Sequence, residues 1–108
     1  MRRHYGKLIR DRIPELLQAE GLRYEVARLD DDAFRAALLA KLREEAGEVA
    51  DARDAAETAK ELADLFEVID AVLDLHGLDP DAVRALQSQC RAQRGGFARR
   101  LELVWTER

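Results

Sequence analysis

The side chains in this sequence most able to do chemistry are carboxylates. One stretch reads Lys41-Leu42-Arg43-Glu44-Glu45-Ala46-Gly47-Glu48-Val49, and a second reads Lys60-Glu61-Leu62-Ala63-Asp64-Leu65. Each holds an acid-x-x-acid step, Glu45 with Glu48 and Glu61 with Asp64. On a helix, residues three apart share a face with Cβ atoms about 5–6 Å apart, so like charges there repel unless something neutralises them.

Angular position sharpens the pattern. With a step of about 100° per residue and Leu38 at zero, Phe34, Leu42 and Val49 form an apolar stripe within about 40°. Glu45 falls near about −20°, inside that stripe, and Glu48 near about −80°, at its border. On the second stretch, with Leu65 at zero, Leu62, Ile69 and Val72 lie within about 60°. Glu61 falls near about −40°, inside, and Asp64 near about −100°, at the border. A carboxylate on a packing face is costly unless it is paired or binds a metal. Four acids facing one another make an all-oxygen cage, which suits Mg²⁺, or Mn²⁺ as a substitute, rather than Zn²⁺. Histidine is nearly absent, with His4 near the start and His76 at a helix end, so a di-iron Glu-x-x-His site has no support. The alternative pairs Lys41 with Glu45 and Lys60 with Asp64 as ordinary i,i+4 surface ion pairs.

The elements that must position these acids are helical. The chain has 108 residues, 47% apolar and 37% charged, with 6 Gly and 2 Pro. That is the size of a single domain, 1–108, with enough apolar content for a core and too few turn formers for an all-β fold. Pro14 suits a first helical position and predicts a helix to Glu20, stopped by Gly21. Asp30-Asp31-Asp32 supplies a cap and first-turn acids for a long helix from about 32 to 53. After a break near Asp54 comes a second, from about 56 to 76, closed by Gly77. Asp79-Pro80 opens a third that ends at Gly95-Gly96. Leu22–Leu29 and Leu101–Trp105 are candidates for a small two-stranded β element. The expected fold is mainly α, a bundle of two long antiparallel helices with shorter ones around them.

Net charge is −4, a poor basis for binding duplex nucleic acid. No apolar run approaches a membrane span, and no apolar segment follows the basic N-terminus as in a signal peptide. A single cysteine, Cys90, rules out an internal disulfide and fits a reducing compartment. The expectation is a cytoplasmic protein.

With its two acid steps separated by twelve residues, the chain resembles the MazG-like all-α nucleotide pyrophosphohydrolases. The flanks Leu42 to Glu48 and Glu61 to Leu65 are similar as well. So are the opening Tyr5-Gly6-Lys7-Leu8-Ile9-Arg10-Asp11-Arg12-Ile13-Pro14 and the late Arg94-Gly95-Gly96-Phe97, which resemble a compact house-cleaning branch of the group. The resemblance implies Mg²⁺-dependent hydrolysis of a nucleoside triphosphate to the monophosphate and pyrophosphate. It implies Glu45, Glu48, Glu61 and Asp64 as metal ligands. Glu44, beside them, is the candidate to orient or deprotonate water, with a solvent-facing glutamate as the alternative.

A triphosphate needs cations. Lys7, Arg10 and Arg12 cluster near the start, Lys41 and Lys60 each lie one turn before an acid, and Arg91 and Arg94 close the third helix. All seven are candidate substrate-binding residues. A solvated arm is the alternative for the first three, and a cation complementing a helix C-terminus for Arg94. Phe34 and Phe66 read as core and Cys90 as a buried small hydrophobe. Two long amphipathic helices cannot close a four-helix core alone, so a homodimer or higher homo-oligomer is expected. Phosphoribosyl-ATP pyrophosphohydrolase of histidine synthesis is a second enzymatic reading, less favoured because of the Lys7-to-Pro14 opening. A non-enzymatic helical interaction module is a third.

Overall fold

The computed structural model describes residues 1–108 and is all-helical, with α1 Ile13–Ala19, α2 Asp31–Asp51, α3 Ala55–His76 and α4 Pro80–Arg94. It divides into two compact units, Met1–His76 and Gly77–Arg108.

In the first unit each helix boundary has a local cause. Pro14 stands in the first turn of α1. The helix ends in a reciprocal pair of bonds, Leu22 N–H to Leu17 O and Gly21 N–H to Gln18 O, with Gly21 at φ +75°. This is the Schellman arrangement, which needs a residue at ease in the left-handed region. At α2 the Asp30 carboxylate accepts from Ala33 N–H at 2.8 Å, and Asp31 and Asp32 complement the helix dipole. Asp54 starts α3 the same way, accepting from Glu57 N–H at 2.8 Å. Only Ala52, Arg53 and Asp54 separate α2 from α3. So short a connection makes two packed helices antiparallel neighbours, and α2 does pack against α3.

The core is small. Leu38 on α2 is 2% exposed, and Val68 and Leu73 on α3 are also buried. The apolar stripe read for α2 is the one that packs. The stripe read for α3 packs only in part, through the half-buried Leu65 and Val72. There Leu62 and Ile69 are exposed, as is Phe66, while Glu61, Asp64 and Ala71 are half-buried and Val68 is buried. The face turned to α2 is thus rotated by about 70° from the one expected, at 100° per residue, toward the acids. The reason lies in composition: α3 is apolar on two flanks, and periodicity alone does not say which flank meets its neighbour.

The second unit is α4 with its tail. Asp79 caps it by accepting from Asp81 N–H at 2.9 Å, and Pro80 stands in the first turn. Arg91 and Arg94 occupy the last turn, where cations offset the helix dipole. Cys90 is half-buried.

The anticipated β element does not form. Residues 22–29 and 101–105 carry no strand assignment and are exposed throughout. Two strands alone make a marginal sheet in water, and Arg28 falls on the face that Leu22, Tyr24 and Val26 would share, which cuts the apolar run short. No helix is long and apolar enough to cross a membrane.

Candidate active site

Glu45 comes from the α3-facing side of α2, and Glu61 and Asp64 come from consecutive turns on the α2-facing side of α3. One carboxylate oxygen of each lies within 4.8 Å of the others. The Glu45 side chain is 12% exposed and that of Glu61 14%. Opposed ligands of an octahedral Mg²⁺ sit about 4.2 Å apart, from bonds of about 2.1 Å. The three oxygens thus lie near the separation that a hard divalent cation would require, and an all-carboxylate donor set suits Mg²⁺ or Mn²⁺.

Glu48 does not join them. It is exposed and lies outside the group of three. Its place at the border of the α2 stripe, about 60° round from Glu45, accounts for this.

Cations ring the acids. Lys41 Nζ lies 3.9 Å from Glu45 and 3.8 Å from Glu44. Lys60 Nζ lies 3.5 Å from Glu61 and 3.4 Å from Asp64 Oδ2. Both i,i+4 pairs expected as ordinary surface bridges thus exist alongside the convergence of the acids. Two more cations reach in from the N-terminal arm, Arg10 Nη2 donating to Asp64 Oδ1 at 2.9 Å and Lys7 Nζ donating to Glu44 Oε1 at 3.1 Å. Arg12 does not reach the acids; it pairs with Glu15 at 3.3 Å on its own short helix. Arg91 and Arg94 belong to the second unit, exposed in the last turn of α4.

The two neighbouring glutamates are polarised in opposite directions. The hydrogen bond from Lys7 holds the Glu44 carboxyl below its ordinary range, with Lys41 helping against partial desolvation. Burial pushes Glu45 above its ordinary range; Lys41 opposes this, and the charges of Asp64, Glu44 and Glu61 reinforce it. Lys60 is held above its ordinary range by Glu61 and then Asp64. A glutamate whose partial burial outweighs its lysine partner, with further acids nearby, is raised in this way.

Glu45 and Asp64 also border a cleft of about 290 Å³. Its apolar wall is Phe34, Leu38, Val68 and Ala71, and the arm closes another side through Leu8 and Ile9. Arg10, Asp11, Lys41 and Glu67 supply the rest of its polar edge. Phe34, read from sequence as core, is half-buried and lines this cleft. Asp11 and Glu67 were not anticipated. The available signal for Glu67 was its spacing, one turn beyond Asp64; nothing in the pattern marked Asp11.

An acid cluster between two antiparallel helices, ringed by lysine and arginine, is the constitution of an all-α pyrophosphohydrolase of the MazG-like type. The phosphoribosyl-ATP pyrophosphohydrolase family, part of that superfamily, matches residues 3–88, and the chain belongs to it. The chain is also similar to an uncharacterized protein of Mycolicibacterium smegmatis, 54% identical over 53 residues, which are 47% of this chain and 54% of that protein. The chain thus spans about half the length of the curated relative it matches. No solved structure matches it.

Proposed function

We propose that the protein hydrolyses a nucleoside triphosphate between the α- and β-phosphates, releasing pyrophosphate and a monophosphate, with Mg²⁺ or Mn²⁺ as cofactor. One observation carries the reading: three carboxylates from two helices meet within 4.8 Å on a half-buried face ringed by cations. The family match supports pyrophosphate-releasing chemistry on a nucleotide-like substrate. The ligands in this proposal are Glu45, Glu61 and Asp64, with Glu48 joining them by a swing of its exposed side chain. When bound, a divalent ion at these acids offsets phosphate charge and lowers the pKa of water. Glu44, kept ionised by Lys7, accepts a hydrogen bond from the attacking water and orients it. Lys7, Arg10, Lys41 and Lys60 bind the phosphate tail, with Arg12, Arg91 and Arg94 as outer cations. The cleft walled by Phe34 and Leu38 holds the apolar body of the nucleotide.

The same proposal treats residues 1–108 as one catalytic domain acting in the cytoplasm as a homodimer or larger homo-oligomer, without membrane or duplex nucleic acid as partner. The exposed stripe Leu62, Phe66 and Ile69 on α3 supports self-association. A house-cleaning role on non-standard nucleotides follows the Lys7-to-Pro14 resemblance. Phosphoribosyl-ATP as substrate is the second reading, favoured by the name of the matching family.

The test is pyrophosphate release from a panel of NTPs, dNTPs and phosphoribosyl-ATP, with Mg²⁺ and with EDTA. Turnover on one group of substrates, abolished by EDTA and reduced at least about a hundredfold in Glu61→Gln, is expected, as for the loss of one electrostatic catalytic group. No turnover on any of them, or turnover unchanged in Glu61→Gln, leaves the helical interaction module as the reading.

A further inference from the structure

Around the cluster four carboxylates, Glu44, Glu45, Glu61 and Asp64, face four cations, Lys7, Arg10, Lys41 and Lys60, so the formal charges balance. The cations are of two kinds. Lys41 and Lys60 stand on the same helices as the acids they meet. Lys7 and Arg10 come from a segment without regular structure, 37 and 54 residues away in sequence from their partners. Both oxygens of Asp64 are engaged, Oδ1 by Arg10 at 2.9 Å and Oδ2 by Lys60 at 3.4 Å. A divalent cation that takes Asp64 therefore competes with both cations for its carboxylate. Lys60 also holds Glu61 and is fixed to α3. Arg10 has Asp64 alone as ion-pair partner, its side chain is 56% exposed, and its backbone lies in coil. An ion pair so exposed contributes little to stability and is readily exchanged.

We propose that Arg10 is an exchangeable counterion of Asp64: a divalent cation displaces its guanidinium, which leaves the arm held at its start by the Lys7–Glu44 pair, and Arg10 then swings onto the phosphate tail. This rests on the pyrophosphohydrolase reading and adds an order of events to it. A planar guanidinium suits both roles, since carboxylate and phosphate each present paired oxygens to its fork of N–H donors. Leu8 and Ile9, between the two cations, wall the cleft in the docked arm, so displacement opens the cleft as well as uncovering the acid. Arg10 thus acts as a positioning residue that meets acid first and phosphate second.

The experiment is limited trypsin digestion of the full chain, followed by mass spectrometry at Lys7 and Arg12. It is run in EDTA, in Mn²⁺, and in Mn²⁺ with an α,β-imido nucleoside triphosphate, while Mn²⁺ binding is measured by electron paramagnetic resonance. Mn²⁺ alone is expected to speed cleavage of the arm several-fold, and the analogue to slow it again. Glu61→Gln, which loses the metal, should show neither change. Arg10→Gln should bind Mn²⁺ several-fold more tightly and, with Mn²⁺ present, the analogue several-fold more weakly. Mn²⁺ bound with arm cleavage unchanged, or Arg10→Gln binding Mn²⁺ no more tightly than wild type, overturns the exchange and leaves the metal site standing. No Mn²⁺ binding by the wild type overturns both this inference and the function beneath it.

Discussion

At Glu45 burial and repulsion work against ionisation, and Lys41 at 3.9 Å only partly compensates. Because its folded pKa is raised, the folded state holds this proton more tightly than the unfolded chain does. Stability must therefore fall as pH rises from the ordinary glutamate range through the raised folded value, and the loss persists above it. Glu45→Gln removes that loss. In EDTA the variant is expected to melt at a higher temperature than the wild type at pH 7, with the gap narrowing toward pH 4. If Mg²⁺ is the cofactor, as proposed, it binds the folded cluster only, and it should stabilise the wild type and leave the variant nearly unmoved. A variant no more stable than wild type in EDTA at pH 7 would show that Glu45 carries no net electrostatic cost. Glu44, one residue away, is pulled down by the Lys7 hydrogen bond, so adjacent glutamates divide into a reluctant anion facing α3 and a settled one facing the arm.

The helices are set by local signals and joined by a thin core. Asp30, Asp54 and Asp79 each cap a helix through a backbone N–H, and the three-residue link between α2 and α3 forces the antiparallel hairpin that faces Glu45 toward Glu61 and Asp64. Little apolar material backs this arrangement, and Leu38 is its most buried member. Leu38→Ala should cost about 2–5 kcal/mol by urea denaturation, because it opens a cavity beside the cleft. Asp54→Ala should cost only about 1 kcal/mol, the worth of a helix cap. If the order were reversed, the hairpin would owe its stability to its turn rather than to the packed seam.

For the molecule as a whole, three buried hydrophobics are few for 108 residues, and many large apolar side chains lie exposed. The flank of α3 bearing Leu62, Phe66 and Ile69, with Phe66 54% exposed, has no cover within its own unit. A second copy pairing its own α3 there would complete a four-helix core of the kind that two long helices cannot close alone. Sedimentation equilibrium is expected to give a dimer or larger species for wild type and a smaller one for Phe66→Asp. A wild-type monomer would remove self-association from the proposal.

The helices were legible before any folding, because capping aspartates, prolines, glycines and a 3.6-residue period are local properties that each segment carries alone. Glu45 and Glu61 were legible in the sequence too, since acids intruding on apolar stripes are visible as a conflict in one helix at a time, whereas Asp64 and Glu48 stood alike at the borders and only one of them joined the cluster. Whatever depends on the choice of neighbour emerged only on packing. The acid-bearing flank of α3, not the Leu62–Ile69 flank, meets α2, because a helix apolar on two sides leaves that choice to packing. Glu48 was left at the solvent edge by the same geometry. Phe34 moved from presumed core to cleft wall, and Lys7 and Arg10 met acids 37 and 54 residues further along the chain, contacts between distant segments that no local periodicity encodes.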